Sequence, residues 1–458
     1  MITIVEPLKQ ISALWSKPVI RDEMSFRLMQ YVLVIENNGK TILHNVVTGH
    51  LVVLDQKEAK LLEKTPIHYS NDIEALVSNH FLVEEDYDEH NRVLKMRQVL
   101  RVLALAQGAE TNKVITNYTI LPTTACNARC YYCFEKGIRS HTMTEQIAEK
   151  TVNFISKHCG EKKRISIRWF GGEPTVASHR IDQICIGLKE KGIEFSSSMT
   201  TNGYLFDQEM VLRAKKLWKL KSVMICVDGI EEHYNSIKSY CNVKDNPYQR
   251  VLTNIGMLLE QRVHVSLRMN FDVGNFTDFE DLLKEVVDRF HDNSYLQVYA
   301  FPVIGEYEDK TGKIQHGSED WFDKKILEMN DKAREKGKFR RDLPLPSLFY
   351  GYCKASDPSC IVISANGDLG RCTSIFQRED QIVGNVENDI IVNDYQDRWG
   401  RLADPEGCKE CELFPNCILI ENCPGKNRCF KSELFRQYKI VINNKYQKWI
   451  KLKGRTLL

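Results

Sequence analysis

Three cysteines stand within eight residues, Cys126, Cys130 and Cys133, at C-x3-C-x2-C spacing. They directly follow Tyr118–Leu121, which reads as a strand. Thiolates this close in sequence can converge on one metal cluster. A [4Fe–4S] cluster takes four cysteines in its common form, so three leave one iron open to another ligand, and an open iron can do chemistry. Zinc and a disulfide knot are the alternatives. Zinc sites pair C-x2-C with a second ligand pair. Disulfides belong to secreted chains, and the opening Met1–Pro7 has neither the basic flank nor the apolar core of a signal segment.

Other segments could serve such a centre. In Phe170-Gly171-Gly172-Glu173-Pro174 two glycines let backbone approach a ligand and proline fixes the exit. The Glu173 carboxylate beside exposed carbonyls suits an ammonium group. Ser198-Met199-Thr200-Thr201-Asn202-Gly203 and Cys226-Val227-Asp228-Gly229 end further apolar runs. Asp228 either faces a substrate or caps the helix that follows. Arg268, with Asn270 beside it, either pairs with a carboxylate or sits in a structural ion pair. Eight more cysteines lie downstream: Cys353, Cys360, Cys372, Cys408, Cys411, Cys417, Cys423 and Cys429. Cys159, Cys185, Cys226 and Cys241 lie singly and read as small buried or inert residues.

C-x3-C-x2-C with an aromatic, Tyr132, before its last cysteine resembles the signature of radical S-adenosylmethionine (radical SAM) enzymes. The resemblance runs from about Tyr118 to Phe430. It implies that S-adenosylmethionine chelates the open iron through its amino and carboxylate groups. Reduction of the cluster then cleaves the sulfonium and yields a 5′-deoxyadenosyl radical. It also implies that Gly171, Gly172, Glu173 and Pro174 hold the amino group, and that Ser198, Thr201 and Asn202 lie near the methionine and ribose parts. Tyr132, Asp228 and Arg268 complete the implied cofactor contacts. Relatives often show S-x-D-G where Cys226 opens this chain's segment.

Cys408-x2-Cys411-x5-Cys417, after Cys353-x13-Gly367-x4-Cys372, resembles the SPASM extension of the same family. That resemblance implies two auxiliary [4Fe–4S] clusters, three in all. Cys353, Cys360, Cys372 and Cys423 would hold the inner one, and Cys408, Cys411, Cys417 and Cys429 the outer. The family continues with a fourth cysteine after three residues. Here Glu421 stands there and Cys423 follows later, which leaves the membership of Cys423 and Cys429 open. Structural zinc sites are the alternative.

Elements must position these residues. From Asn117 to about Pro302 strands and helices alternate, with strands expected at Tyr118–Leu121, Ile165–Phe170, Phe195–Thr201, Ser222–Val227, His264–Phe271 and Tyr295–Phe301. Such alternation implies a parallel sheet, and function then sits at the strands' C-terminal ends. The fold class is α/β, and six units fit a partial (β/α)6 TIM-like barrel, the fold of the resembled family. Upstream, Tyr31–Ile35, Thr41–Val46 and Leu51–Leu54 read as strands joined through the turn Asn37-Asn38-Gly39. Helices at Gln56–Lys64, Asp72–Leu82 and Glu89–Gln107 follow. This pattern resembles the winged-helix element by which peptide-modifying enzymes add a leader peptide to a sheet edge; a plain structural cap is the alternative. Three segments are expected: 1–110 for recognition and linker helix, 111–318 for the barrel, and 319–458 for a bridging helix, the SPASM extension and a closing helix.

The chain has 458 residues, and Lys+Arg 63 against Asp+Glu 61 leaves a net charge of +2. That balance argues against a strongly basic nucleic-acid binder. No long apolar run suggests a membrane span. Fifteen cysteines without a secretory signal imply a reducing cytoplasm.

SPASM relatives act mostly on peptides and proteins. The resemblance therefore implies a precursor peptide bound through its leader, and an external electron donor of flavodoxin or ferredoxin type. Thioether formation from Cys sulfur to a carbon of another residue is the expected reaction. Carbon–carbon crosslinking and other oxidations are alternatives. A sulfatase-maturase-like reaction is disfavoured because Thr373 stands where those enzymes carry Asp. A non-catalytic iron–sulfur sensor or scaffold is the alternative of another class.

Overall fold

The computed structural model describes residues 3–6, 21, 23–63, 66–109, 114–243, 245–303, 319–339, 345–348, 353–373, 381–390, 408–417 and 431–455. Two compact units result, one of residues 1–107, 342–356 and 397–458, the other of residues 108–341 and 357–396.

The first unit is built on antiparallel strands β1 (Thr3–Glu6), β2 (Ser25–Leu28), β3 (Val32–Asn37), β4 (Lys40–Asn45), β5 (Leu51–Leu54), β6 (Ile67–His68) and β7 (Leu82–Glu84). They form two sheets, ordered β1-β5-β4-β3 and β6-β2-β7. Asn38 (φ 49°) and Gly39 (φ 73°) turn β3 into β4, and a two-residue hairpin turn asks for positive φ at both. Helices α1 (Gln56–Ala59), α2 (Glu74–Ser78) and α3 (Glu89–Ala109) follow, the first two shorter than the expected Gln56–Lys64 and Asp72–Leu82. Asp55 and Glu58 close a reciprocal capping box at the start of α1.

Segments remote in sequence complete this unit's core. Leu348 and Phe414 pack with Phe26, Tyr31, Phe81 and Val93. Leu345, Leu413, Ile442 and Tyr446 pack with Leu33, Ile35 and Ile42. Ile442 and Tyr446 lie on the C-terminal helix Lys431–Arg455. The first unit's opening segment ends at 107, close to the expected boundary at 110, and the unit also takes in segments 342–356 and 397–458, where apolar positions near 345 and 413 are covered by the N-terminal sheet.

The second unit alternates strand and helix. Its strands are β8 (Asn117–Ile120), β9 (Arg164–Trp169), β10 (Glu194–Thr201), β11 (Leu220–Cys226), β12 (His264–Phe271) and β13 (Leu296–Pro302). They lie in sequence order, and every neighbouring pair is parallel. Helices α4 (Glu145–His158), α5 (Ser178–Glu190), α6 (Gln208–Lys216), α7 (Glu231–Lys238), α8 (Pro247–Glu260), α9 (Phe279–Phe290) and α10 (Glu319–Glu335) accompany them. Thr144, Asp207 and Asn246 cap the starts of α4, α6 and α8. Along each strand every second residue is buried, including Ile165, Ile167 and Trp169 on β9 and Val223 and Ile225 on β11. These belong to the one apolar core that also takes in the helices. The alternate positions, Arg168, Ser198, Cys226, Arg268 and Tyr299 among them, stay half-buried on the other face. This is the α/β fold of a partial TIM-like barrel.

Four strands of this unit were not expected. β14 (Cys360–Ile363) runs parallel to β8, with Cys360 opposite Asn117 and Ile363 opposite Ile120. β15 (Asp368–Gly370), β16 (Gly384–Asn385) and β17 (Asp389–Ile390) continue the sheet antiparallel. Cys360 thus opens a buried sheet strand.

Candidate active site

The loop Cys126–Cys133 leaves the C-terminal end of β8, where function gathers in such sheets. Its three cysteines are half-buried and form no disulfide among the described residues. Hydrogen bonds hold it on three sides. Gly172 N–H donates to Thr123 O at 3.1 Å and Glu173 N–H to Ala125 O at 2.9 Å. Asn202 Nδ2 donates to Asn127 Oδ1 at 2.7 Å. Arg129 N–H donates to Lys238 O at 2.8 Å, and Cys241 N–H to Asn127 O at 2.8 Å.

Gly171 and Gly172 make this closeness possible. A Cβ on Gly171, whose φ is +124°, would lie 2.3 Å from Thr123 O, and one on Gly172 would lie 2.4 Å from Ala125 O. Both obstacles are backbone, so only glycine fits. Glu173 is fully buried and its carboxylate is already engaged. Oε1 accepts from Thr175 N at 3.0 Å, Thr175 Oγ1 at 2.5 Å and Thr201 Oγ1 at 2.8 Å. Oε2 accepts from Asn202 N at 2.6 Å. Glu173 and Thr201 thus join the ends of β9 and β10. Pro174 opens the short 3₁₀ turn that Glu173 caps.

Deeper in the unit Tyr132, Asp228, Lys238 and Asn270 form one buried network. The Tyr132 hydroxyl donates to Asp228 and accepts from Asn270 Nδ2 and Lys238 Nζ, each at 3.0 Å. Lys238 Nζ stands 2.7 Å from Asp228 Oδ2, with the two side chains 3% and 0% exposed. Asn270 N–H donates to Asp228 Oδ1 at 3.0 Å. Asp228 does not cap the next helix: α7 begins after Ile230 with no side-chain cap. Burial alone would lower the Lys238 pKa, but Asp228 and then Tyr132 outweigh it and hold the ammonium well above its ordinary range. Burial, then Asp228, drives the Tyr132 hydroxyl upward. Sequence reading missed Lys238, because a lysine on a helix reads as solvated.

Arg168 and Arg268 share the half-buried face. Arg268 Nη2 donates to Cys226 Sγ at 3.4 Å, and Arg168 Nη2 to Thr200 Oγ1 at 3.2 Å. Burial, and then Arg268, lowers the Arg168 pKa. Ser198 lies in register between Arg168 and Ser222. A cavity of about 830 Å³ opens beside the loop, lined by Phe134, Glu135, His141, Asn366, Asp368 and Thr373 among others.

These residues fit a [4Fe–4S] cluster with one open iron. Among the described residues no three His, Cys, Asp or Glu side chains gather closely enough for a single metal ion. A cubane cluster asks for a wider set, because each thiolate takes its own iron. Burial pushes the Cys126 thiol up to about 12 and raises Cys130 and Cys133 as well. Such thiols ionise when a cation compensates them. Two buried donors on the site's residues, Asn127 Nδ2 and Arg268 Nε, have no hydrogen-bond partner, which suits an anionic or polar ligand.

Of the downstream cysteines, Cys408, Cys411 and Cys417 belong to the first unit with Cys353, and Cys360 and Cys372 to the second. Cys423 and Cys429 lie outside the described residues. No disulfide joins the described cysteines. No helix among the described residues is long and apolar enough to cross a membrane.

Residues 120–286 match the model of the Radical SAM superfamily. Among curated proteins the chain is 24% identical over 263 residues to "Radical SAM cyclopropyl synthase TigE" of Paramaledivibacter caminithermalis, covering 49% of this chain and 52% of that protein. It is 34% identical over 116 residues to a GTP 3′,8-cyclase of Rhodopirellula baltica, covering 24% of this chain and 30% of that one. The chain thus spans about half the length of the first relative and under a third of the second. Among solved structures, anSMEcpe with bound AdoMet superposes with a TM-score of 0.55 at 17% identity, over 72% of this chain and 99% of that one. At that identity the likeness is one of fold. Motif, strand order and family model agree over the same residues, and the parallel barrel of this chain carries a radical SAM domain, a family that uses S-adenosylmethionine and a [4Fe–4S] cluster.

Proposed function

We propose that this protein is a radical SAM enzyme that modifies a ribosomally made precursor peptide, forming thioether bonds from Cys sulfur to a carbon of another residue. The observation that carries the reading is the loop of Cys126, Cys130 and Cys133, pinned at the mouth of a parallel barrel against Gly171 and Gly172. The peptide substrate is supported by the N-terminal sheet and helices, a shape suited to adding an extended leader at an edge. It is supported too by the fold shared with anSMEcpe, also solved with bound AdoMet and Cp18Cys peptide, at a TM-score of 0.54.

When bound, the cluster and S-adenosylmethionine supply a carbon radical able to take hydrogen from an unactivated C–H bond. The chain's residues hold and aim. Cys126, Cys130 and Cys133 hold the cluster. The backbone around Gly171 and Gly172 receives the amino group, and Arg268 the carboxylate. Ser198, Thr201 and Asn202 border the remainder, with Glu173 and Pro174 fixing the strand ends. The cavity beside Phe134 admits the peptide. Cys353, Cys360, Cys372 and Cys423 would hold one auxiliary cluster and Cys408, Cys411, Cys417 and Cys429 another, and such clusters would supply electron-transfer capacity. A flavodoxin- or ferredoxin-type donor in the cytoplasm supplies the reducing electron.

Anaerobic mass spectrometry of a cysteine-bearing precursor encoded beside the gene tests the reaction. Loss of two hydrogens per modification, with thiols no longer alkylatable, supports thioethers. The same loss with alkylatable thiols supports the second reading, carbon–carbon bond formation, which the likeness to the cyclopropyl synthase TigE favours. An unmodified peptide alongside steady 5′-deoxyadenosine release would refute the peptide assignment.

A further inference from the structure

Lys238 is a lysine with almost no access to water, at the end of α7. It grips the cysteine loop at two points. Its carbonyl accepts the Arg129 N–H, one residue before Cys130. Its ammonium meets the Tyr132 hydroxyl, two residues after Cys130, and lies over the Tyr132 and Tyr234 rings at 5.6 Å and 5.8 Å. Asp228 supplies the counter-charge at 2.7 Å. Asn270 and Asn275 fix Asp228 in turn, through Asn270 N–H to Oδ1 and Asn275 Nδ2 to its carbonyl at 2.9 Å. A buried, hydrogen-bonded ion pair is costly to place and rigid once placed. This one ties the loop to the ends of β11, α7 and β12 at once.

We propose that Lys238 is a positioning residue of the cysteine loop, which anchors Arg129–Tyr132 and presents a fixed positive charge to a cluster held at Cys130. This rests on the reading that Cys126, Cys130 and Cys133 hold a cluster. Reduction adds one negative charge there. In a poorly solvated site a nearby cation stabilises the reduced state, and a nearby anion opposes it. Lys238 and Asp228 therefore pull the reduction potential in opposite directions. Damage to the loop alone would give no such opposition.

The test is an EPR-monitored redox titration of the reconstituted full-length protein, following the reduced-cluster signal that changes on adding S-adenosylmethionine. Lys238→Met is expected to lower the equilibrium constant for one-electron reduction at least tenfold, which is about 59 mV for a one-electron couple. Asp228→Asn is expected to raise that constant, and Lys238→Arg to stay within threefold of the parent, roughly 30 mV. Shifts of the same sign in Lys238→Met and Asp228→Asn, or no shift in either, overturn the proposal. Should Lys238→Met not fold, Asp228→Asn decides: an unchanged or lowered constant overturns it. Absence of the S-adenosylmethionine-responsive signal from the parent protein would instead refute the cluster reading, and this proposal with it.

Discussion

At Gly172 a single methyl group would collide with two carbonyl oxygens, Ala125 O at 2.4 Å and Thr124 O at 2.6 Å, both on the strand exit that feeds the cysteine loop. Neither can retreat without moving Cys126. Gly172→Ala is therefore expected to cost about 2–3 kcal/mol of stability, the range of an overpacked core site. It is also expected to weaken S-adenosylmethionine binding at least tenfold; equilibrium titration checks this, and binding within twofold of the parent would contradict it. The cysteine triad and the two glycines were legible in the sequence because their chemistry dictates their type. Lys238 was not, since its partner Asp228 lies ten positions back on another element and no local pattern marks the pair. Glu173 was read as suited to an ammonium group; its carboxylate also accepts four hydrogen bonds from Thr175, Thr201 and Asn202, a network that no local sequence pattern marks.

Among the elements, Arg97 on α3 shows how distant segments are held. Its guanidinium is 2% exposed and donates to Phe414 O and Cys417 O, each at 2.6 Å. Arg97→Met would leave both buried carbonyls short of a donor, and about 3 kcal/mol of stability in the first unit should go with them. Chemical denaturation measures this, and a loss below about 0.5 kcal/mol would contradict it. His80 adds a pH dependence. Burial, then the neighbouring His50, pushes its pKa down from 6.5 to about 4. The unfolded chain then binds the proton that the folded chain refuses, so stability falls as pH drops from about 6.5 towards 4. About 2 kcal/mol of that fall, allowing for partial screening, should vanish in His80→Asn, since Asn tolerates the φ of 59° found there. Identical pH slopes in the two proteins would contradict it. The six parallel strands were legible because each is a short extended-type run set between helical patterns, and β12 matches its expected span of His264–Phe271. β14 was not legible: its partner, β8, lies far back in the chain, and periodicity names no partner.

At the scale of the whole molecule, the chain order of segments is not their grouping. Leu413, Phe414, Ile442 and Tyr446 complete the apolar core of the N-terminal unit, and the strands β14 to β17 extend the barrel's sheet. Cutting the chain at residue 110 would strip Leu345, Leu413, Phe414 and Ile442 of their cover, so the recognition role is better probed by substitutions on the N-terminal sheet than by deletion. We infer that the loop of Cys126, Cys130 and Cys133 runs radical chemistry on S-adenosylmethionine. The most direct measurement is anaerobic release of 5′-deoxyadenosine by the reconstituted, reduced full-length protein, beside Cys130→Ala prepared in the same way. Steady release by the parent and a fall of at least about a hundredfold in the variant, as expected when a group essential to the chemical step is removed, is the predicted result. Equal release by the two proteins, or none from a parent that carries its full iron, would contradict it.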